Sequence, residues 1–243
     1  MVRVLVIFDM DGTLLADAGG GTGLYVEAHR FAFKKALGID IEENFSFKKY
    51  TGWLASQTLS DMAQSRGVNE KKIHDHLPRL YNFTYQYLKD NEDELKVTVL
   101  NGVIDLLTLL KNNNIYLAIA TGNIRDVAIL KLKKAGLKDF FVMNDKFMGE
   151  FGSEENNRAD IIRSVKKKMD NMIGSSIAYE HIFVVGDSDS DIKAGIAVGA
   201  KTIGVATGIM SEHTLRQHGA SITFPNFASA QNREKFLQFV TSL

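Results

Sequence analysis

The chain opens with an unbroken apolar run, Val2 to Phe8 in VRVLVIF, which ends on two carboxylates one residue apart, Asp9 and Asp11. A β-branched run of this kind reads as a strand buried on both faces, as in a parallel sheet. Side chains on a strand alternate, so Asp9 and Asp11 point the same way. Asp11-Gly12 has an ordinary reading as a turn pair, but Asp9 at the end of a buried strand does not. A glycine cluster follows in ADAGGGTGLY and reads as a loop, since no GK[ST] follows it. From Leu24 to about Leu95 the spacing turns helical, in LYVEAHRFAFKKALG, LASQTLSDMAQSRG and KKIHDHLPRLYNFTYQYLKD, with Gly38 and Gly67 where C-caps belong.

From about Val97 strands and helices alternate. The pattern predicts a helix in GVIDLLTLLKNNN, a strand in IYLAIA, a helix in IRDVAILKLKKAG closed by Gly136, and a strand in FFVMN. A helix from about Arg158 to Met169, the strand HIFVVG, the helix SDIKAGIAVG and the strand KTIGVA come next. A short helix near Ser211 to Gln217, SITF and a C-terminal helix finish the chain. This alternation predicts an α/β fold, a parallel sheet covered on both faces. Because the first strand stands apart from the others, residues 16–96 read as a helical unit inserted into a core made of 1–15 and 97–243.

Composition narrows the classes of function. The 29 basic and 29 acidic residues balance, which gives no electrostatic case for nucleic acid or an acidic membrane surface. Lys166-Lys167-Lys168 reads as a solvated helix face. The absence of cysteine removes disulfides and thiolate metal sites. No apolar run approaches the ~20 residues of a membrane helix, and no cleavable leader is evident. A cytoplasmic protein is expected, a monomer or homodimer.

In open parallel sheets, ligands gather beyond the carboxyl ends of the strands. Asp9 and Asp11 follow the first strand, Thr121, Gly122 and Asn123 follow IYLAIA, and Asp187 and Asp191 follow HIFVVG. Carboxylates, a hydroxyl and a glycine N–H on one rim are what phosphoryl transfer requires. GDSDSD is not an EF-hand loop: counting from Asp187, the sixth position is Ile192 and the twelfth Val198, where Gly and Glu are needed. Asp189 reads as a helix N-terminal residue.

FDMDGTL, IATGN and VVGDSDSDIKAG resemble motifs one, two and four of the haloacid dehalogenase superfamily of phosphohydrolases. The helical insertion resembles the cap of its C1-type members in subfamily I, such as the phosphoglycolate phosphatases, and VATGIMSEHTLRQHGA resembles their tail. The resemblance implies a Rossmann-like core with an inserted C1 cap and a Mg²⁺-dependent phosphatase acting on a small phosphomonoester. By resemblance, Asp9 is the nucleophile and Asp11 the general acid/base. Asp9, Asp187 and the Asp11 carbonyl would hold Mg²⁺, with Asp191 ligating directly or through water. Thr121, Gly122 and Asn123 would bind the phosphoryl oxygens. The third motif is usually a lysine; here Arg158, at the start of NRADII, takes that position, with Lys146 in reserve. Trp53 in KKYTGWLASQT falls where C1 members carry a specificity loop, and cap–core packing explains it equally well. His29 reads as a packing residue. Alternatives are a phosphomutase, a phosphonatase using Lys48 or Lys49, and a non-catalytic phospho-binding module; a metal-free dehalogenase is disfavoured by Asp11.

Overall fold

A computed structural model describes residues 3–16, 23–42 and 46–242, with the side chain of Lys48 outside that set. Val2 of the first predicted strand and most of the glycine cluster therefore lie outside the described residues. The strands are β1 (Leu5–Phe8), β2 (Tyr116–Thr121), β3 (Val142–Met143), β4 (Lys146–Phe147), β5 (Gly149–Phe151), β6 (Ile182–Gly186), β7 (Lys201–Val205) and β8 (Ile222–Phe224). The helices are α1 (Gly23–Leu37), α2 (Ala55–Gln64), α3 (Glu70–Asp90), α4 (Val103–Asn112), α5 (Arg125–Lys134), α6 (Arg158–Ile173), α7 (Asp189–Val198), α8 (Glu212–Gln217) and α9 (Ala230–Thr241).

Six strands form one parallel sheet in the order β5-β2-β1-β6-β7-β8. β1 sits inside it, between β2 and β6, and alternate side chains enter different cores. Val4, Val6 and Phe8 pack with α4, α9 and the inward face of α5, whereas Leu5 and Ile7 pack with α6 and α7. Burial on both faces is why this strand carries no polar alternation. All the sheet strands run the same way, so the C-terminal ends of β1, β2 and β6 open on one rim.

α1, α2 and α3 build a separate apolar cluster around Phe33, Met62 and Leu80, which also takes in Ile124, Val127 and Leu130 on the outward face of α5. α5 thus serves two cores. The chain leaves and re-enters the sheet domain along one short pairing, with Ala16 N–H donating to Thr98 O (2.8 Å) and Leu100 N–H to Leu14 O (3.0 Å). A second junction lies at the rim, where Ala55 N–H donates to Gly122 O (2.7 Å).

Two expectations need correction. FFVMN is not a sheet strand: Lys138–Phe141 forms a 3-10 turn, and Val142–Met143 pairs antiparallel with Lys146–Phe147 through Asn144 and Asp145, both at positive φ. The apolar run was real, but Phe141 spends it on the core from a turn. The edge of the sheet is instead β5, whose glycine and glutamate give a weak strand signal. The lysine run is also not simply solvated. Lys166 pairs with Asp170 (2.5 Å), and Lys168 pairs with Glu150 (2.8 Å) and donates to Gly149 O (3.1 Å), tying α6 to β5.

Phe236 on α9 is fully buried and stacks on Phe8, with ring centroids 6.3 Å apart. It backs the last residue of β1, next to Asp9. Phe236→Ala is expected to lower the unfolding free energy by about 3–5 kcal/mol in chemical denaturation.

Candidate active site

Three carboxylates meet at the rim. Asp9 follows β1, Asp187 follows β6, and Asp191 lies in the first turn of α7; each offers an oxygen within 4.8 Å of the others. All three are buried. Asp191 is fixed by its own helix start, accepting from Ser188 Oγ (2.6 Å) and Ser188 N–H (3.3 Å). Thr13 Oγ1 donates to Asp187 (3.3 Å). Side chains could not be added around them: a Cβ on Gly12 or Gly208 would collide with the Asp187 carboxylate, and one on Gly186 with that of Asp191. Gly12 is also held at φ +80°, a region that L side chains rarely adopt.

Arg158, the first residue of α6, places Nη2 2.5 Å from both Asp9 Oδ1 and Asp191 Oδ1. One guanidinium does not offset this much charge. Burial pushes Asp9 up to about 7 against the pull of Arg158, with Asp191 and Asp11 adding to the rise. Burial, then Asp9 and Asp191, pushes Asp187 up to about 8. A group of oxygen donors that still favours protons despite an adjacent arginine fits a small hard divalent cation.

Asp11 belongs to a different network. Lys131, on α5, is fully buried and contacts both Asp11 oxygens, lying 2.6 Å from Oδ2, while its ammonium sits 5.4 Å from the centre of the Tyr25 ring. Burial works against its charge, but the Asp11 carboxylate outweighs it and holds the ammonium above its ordinary value. Asn123 Nδ2 donates to Asp11 Oδ2 and to Thr121 Oγ1, both at 2.8 Å. The two aspartates of the first motif therefore differ in surroundings, Asp9 facing arginine and Asp11 facing lysine.

Asp9, Asp11, Thr121, Gly122, Asn123, Arg158 and Asp187 line one cavity of about 200 Å³, with Asp191 behind Arg158. Lys146 is exposed on the β3–β4 hairpin and is not among the residues lining the cavity, so the reserve choice for the third motif finds no place there. Asp189 pairs with Lys193 (2.5 Å) outside the acidic cluster. Lys49 pairs with Asp61 (2.9 Å) and is not among the lining residues. Trp53 abuts Gly122 through its backbone carbonyl, and the half-exposed residue also lines the cavity, a position that fits either reading. His29 packs on Phe47 and also lines the cavity.

Residues 6–205 match the family described as haloacid dehalogenase-like hydrolase. The chain belongs to that family. Pyrophosphatase PpaX of Bacillus pumilus is 31% identical over 134 residues, a match that takes in 55% of this chain and 58% of that protein's length. Among solved structures, a predicted phosphatase from Clostridium acetobutylicum superposes with a TM-score of 0.69 at 21% identity, covering 98% of this chain and 100% of that one. A hydrolase from Pseudomonas syringae gives a TM-score of 0.66 at 20% identity, covering 97% and 99%. These two likenesses establish the Rossmann-like haloacid dehalogenase fold.

Within this haloacid dehalogenase-like site, Lys131 is the residue that sequence reasoning passed over. A signal was present: Lys131 falls four residues after Val127, on the buried side of a helix whose Val127, Ala128, Leu130 and Leu132 are buried, between the outward and inward stripes. A lysine so placed needs a buried partner. Lys131→Met leaves Asp11 without its cation. Because Asp11 keeps some exposure and its bond from Asn123, the expected loss is about 2–3 kcal/mol in denaturant unfolding, below the range for a fully buried pair.

The raised carboxyls also predict a pH dependence. Asp9 and Asp187 bind protons more tightly folded than unfolded, so the stability they lend is complete at low pH and is lost as pH rises through about 7–8. A divalent cation bound there would take the place of those protons. The rise in melting temperature on adding Mg²⁺ to chelator-treated protein is expected to be larger at about pH 8 than at about pH 5.5.

Proposed function

We propose that this protein is a Mg²⁺-dependent phosphatase that hydrolyses a small phosphomonoester through an aspartyl-phosphate on Asp9. The observation that carries the reading is the convergence of Asp9, Asp187 and Asp191, with Arg158 bridging Asp9 and Asp191 and Asp11 two residues on at the same cavity. Residues 16–96 act as the cap over a core formed by 1–15 and 97–243, and a cavity of about 200 Å³ suits a small metabolite.

Asp9, Asp187 and the Asp11 carbonyl would hold Mg²⁺, with Asp191 assisting directly or through water. The ion supplies charge neutralisation that lets a phosphate dianion approach buried carboxylates. An Asp9 oxygen attacks phosphorus as the ester P–O bond breaks, and the leaving oxygen takes a proton from Asp11. Water then attacks the phosphorus of the aspartyl-phosphate, gives its proton to Asp11 and releases phosphate with Asp9 regenerated. The Lys131 ammonium and the Asn123 amide hold the Asp11 carboxyl in place for both halves. Arg158, Thr121 and the N–H groups of Gly122 and Asn123 grip the transferring phosphoryl oxygens. Phosphoglycolate, from the cap resemblance, and pyrophosphate, from the Bacillus pumilus relative, are the first substrates to try.

Asp9→Asn is expected to cut phosphate release from an aryl phosphate by at least roughly 10³-fold. A chelator is expected to abolish it and added Mg²⁺ to restore it. Release that survives either treatment refutes the phosphatase reading, and isomerisation of a sugar phosphate without phosphate release identifies a mutase.

A further inference from the structure

The chemistry at the phosphoryl end of the cavity is anionic and cationic by turns, but the rest of the wall is neither. The cap side presents Phe47, Tyr50, Trp53 and Leu59, and the outward face of α5 adds Ile124 and Val127. At the mouth stand Trp53 (44% exposed) and Ile209 (71% exposed), two of the few large hydrophobic side chains left exposed among the described residues. Among the described residues, the lysines and arginines lining the cavity are Lys131 and Arg158, and each already faces carboxylates.

Two polar groups interrupt this wall. Thr84, on α3, is 1% exposed, lines the cavity, and its hydroxyl has no hydrogen-bond partner in the structure. A buried hydroxyl without a partner is costly, so one that persists in a cavity wall awaits a ligand. His29 Nδ1 lies 2.7 Å from the Tyr25 carbonyl. A carbonyl only accepts, so Nδ1 carries the proton and Nε2 of the neutral ring is an acceptor. Burial pushes the imidazole down to about 4, which keeps it neutral at physiological pH. The wall therefore offers an acceptor that repels a carboxylate or a second phosphate, and a hydroxyl that both donates and accepts.

We propose that this subsite takes the uncharged, hydroxyl-bearing leaving group of a phosphate ester, a polyol or sugar phosphate, and rejects esters with a second anionic group. A carboxylate or phosphate placed there would be stripped of water and find no free cation. A hydroxyl has His29 Nε2 as acceptor and Thr84 as partner, with its carbon skeleton on the aromatic wall. The inference rests on the phosphatase reading for the identity of the other end of the ligand.

The test is a comparison of kcat/KM on the Mg²⁺-loaded protein for glycerol phosphate and small sugar phosphates against phosphoglycolate and pyrophosphate. The best ester with an uncharged leaving group is expected to exceed both competitors, which carry a second anionic group, by at least roughly tenfold. Equal or better turnover of phosphoglycolate or pyrophosphate overturns the proposal. Thr84→Val, which keeps the shape and removes the hydroxyl, is expected to lower the preference for the best ester with an uncharged leaving group over phosphoglycolate by at least about fivefold, with the melting temperature held or raised. An unchanged preference in a folded Thr84→Val protein also overturns it. Calorimetric binding of the same esters to Asp9→Asn protein with Mg²⁺ reads the preference without turnover. Failure of the phosphatase reading appears as no phosphate release from any ester, while the order of binding affinities still decides the subsite.

Discussion

Carboxylates buried together at the end of a parallel sheet repel one another, and the surrounding structure is arranged around offsetting that repulsion. Asp9 and Asp187 are held where water cannot screen them, and burial contributes more to their raised proton affinity than any single neighbour. Arg158 bridges Asp9 and Asp191 but leaves the cluster short of positive charge. The shortage gives the site its chemistry. In the reaction we propose, a divalent cation would make up that shortage and so let a phosphate dianion approach.

The sheet positions these groups by simple means. β1 is buried on both faces, pinned between β2 and β6, and its register extends to Asp9, whose N–H donates to Val185 O at 2.9 Å. Gly12, Gly186 and Gly208 leave room for carboxylates where any side chain would intrude. α5 carries the coupling between the two apolar clusters. Its outward residues join the helical unit formed by α1–α3, its inward residues join the core, and Lys131 between them reaches Asp11. A helix shared in this way lets packing over the cavity bear on Asp11, the carboxyl for which we propose the proton-transfer role.

Much of this was legible in the chain because the strongest signals coincide with the strongest constraints. A strand buried on both faces has to be apolar throughout, so β1, β2 and β6 announce themselves, and the polar residues that end them stand out. Arg158 was readable because it opens a helix in the position of a known motif. The β5 edge was not readable, since Gly149–Phe151 is too short and too polar to differ from a loop, while the apolar FFVMN nearby was spent on a turn. Lys131 was missed for another reason: within a helix rich in lysine, the buried one looks like its neighbours until the apolar positions around it are traced. The roles of His29 and Thr84 depend on which wall of the cavity they reach, and helical spacing alone does not place them there.

The central claim is that acidic side chains from β1 and from the β6–α7 turn share one divalent ion. Anomalous scattering from crystals grown with Mn²⁺ in place of Mg²⁺ tests this most directly. The account predicts a peak at about 2.1–2.2 Å from oxygens of both Asp9 and Asp187, as expected for a hard divalent ion on carboxylates. Full occupancy of the metal elsewhere, with no density between those two residues, would contradict it.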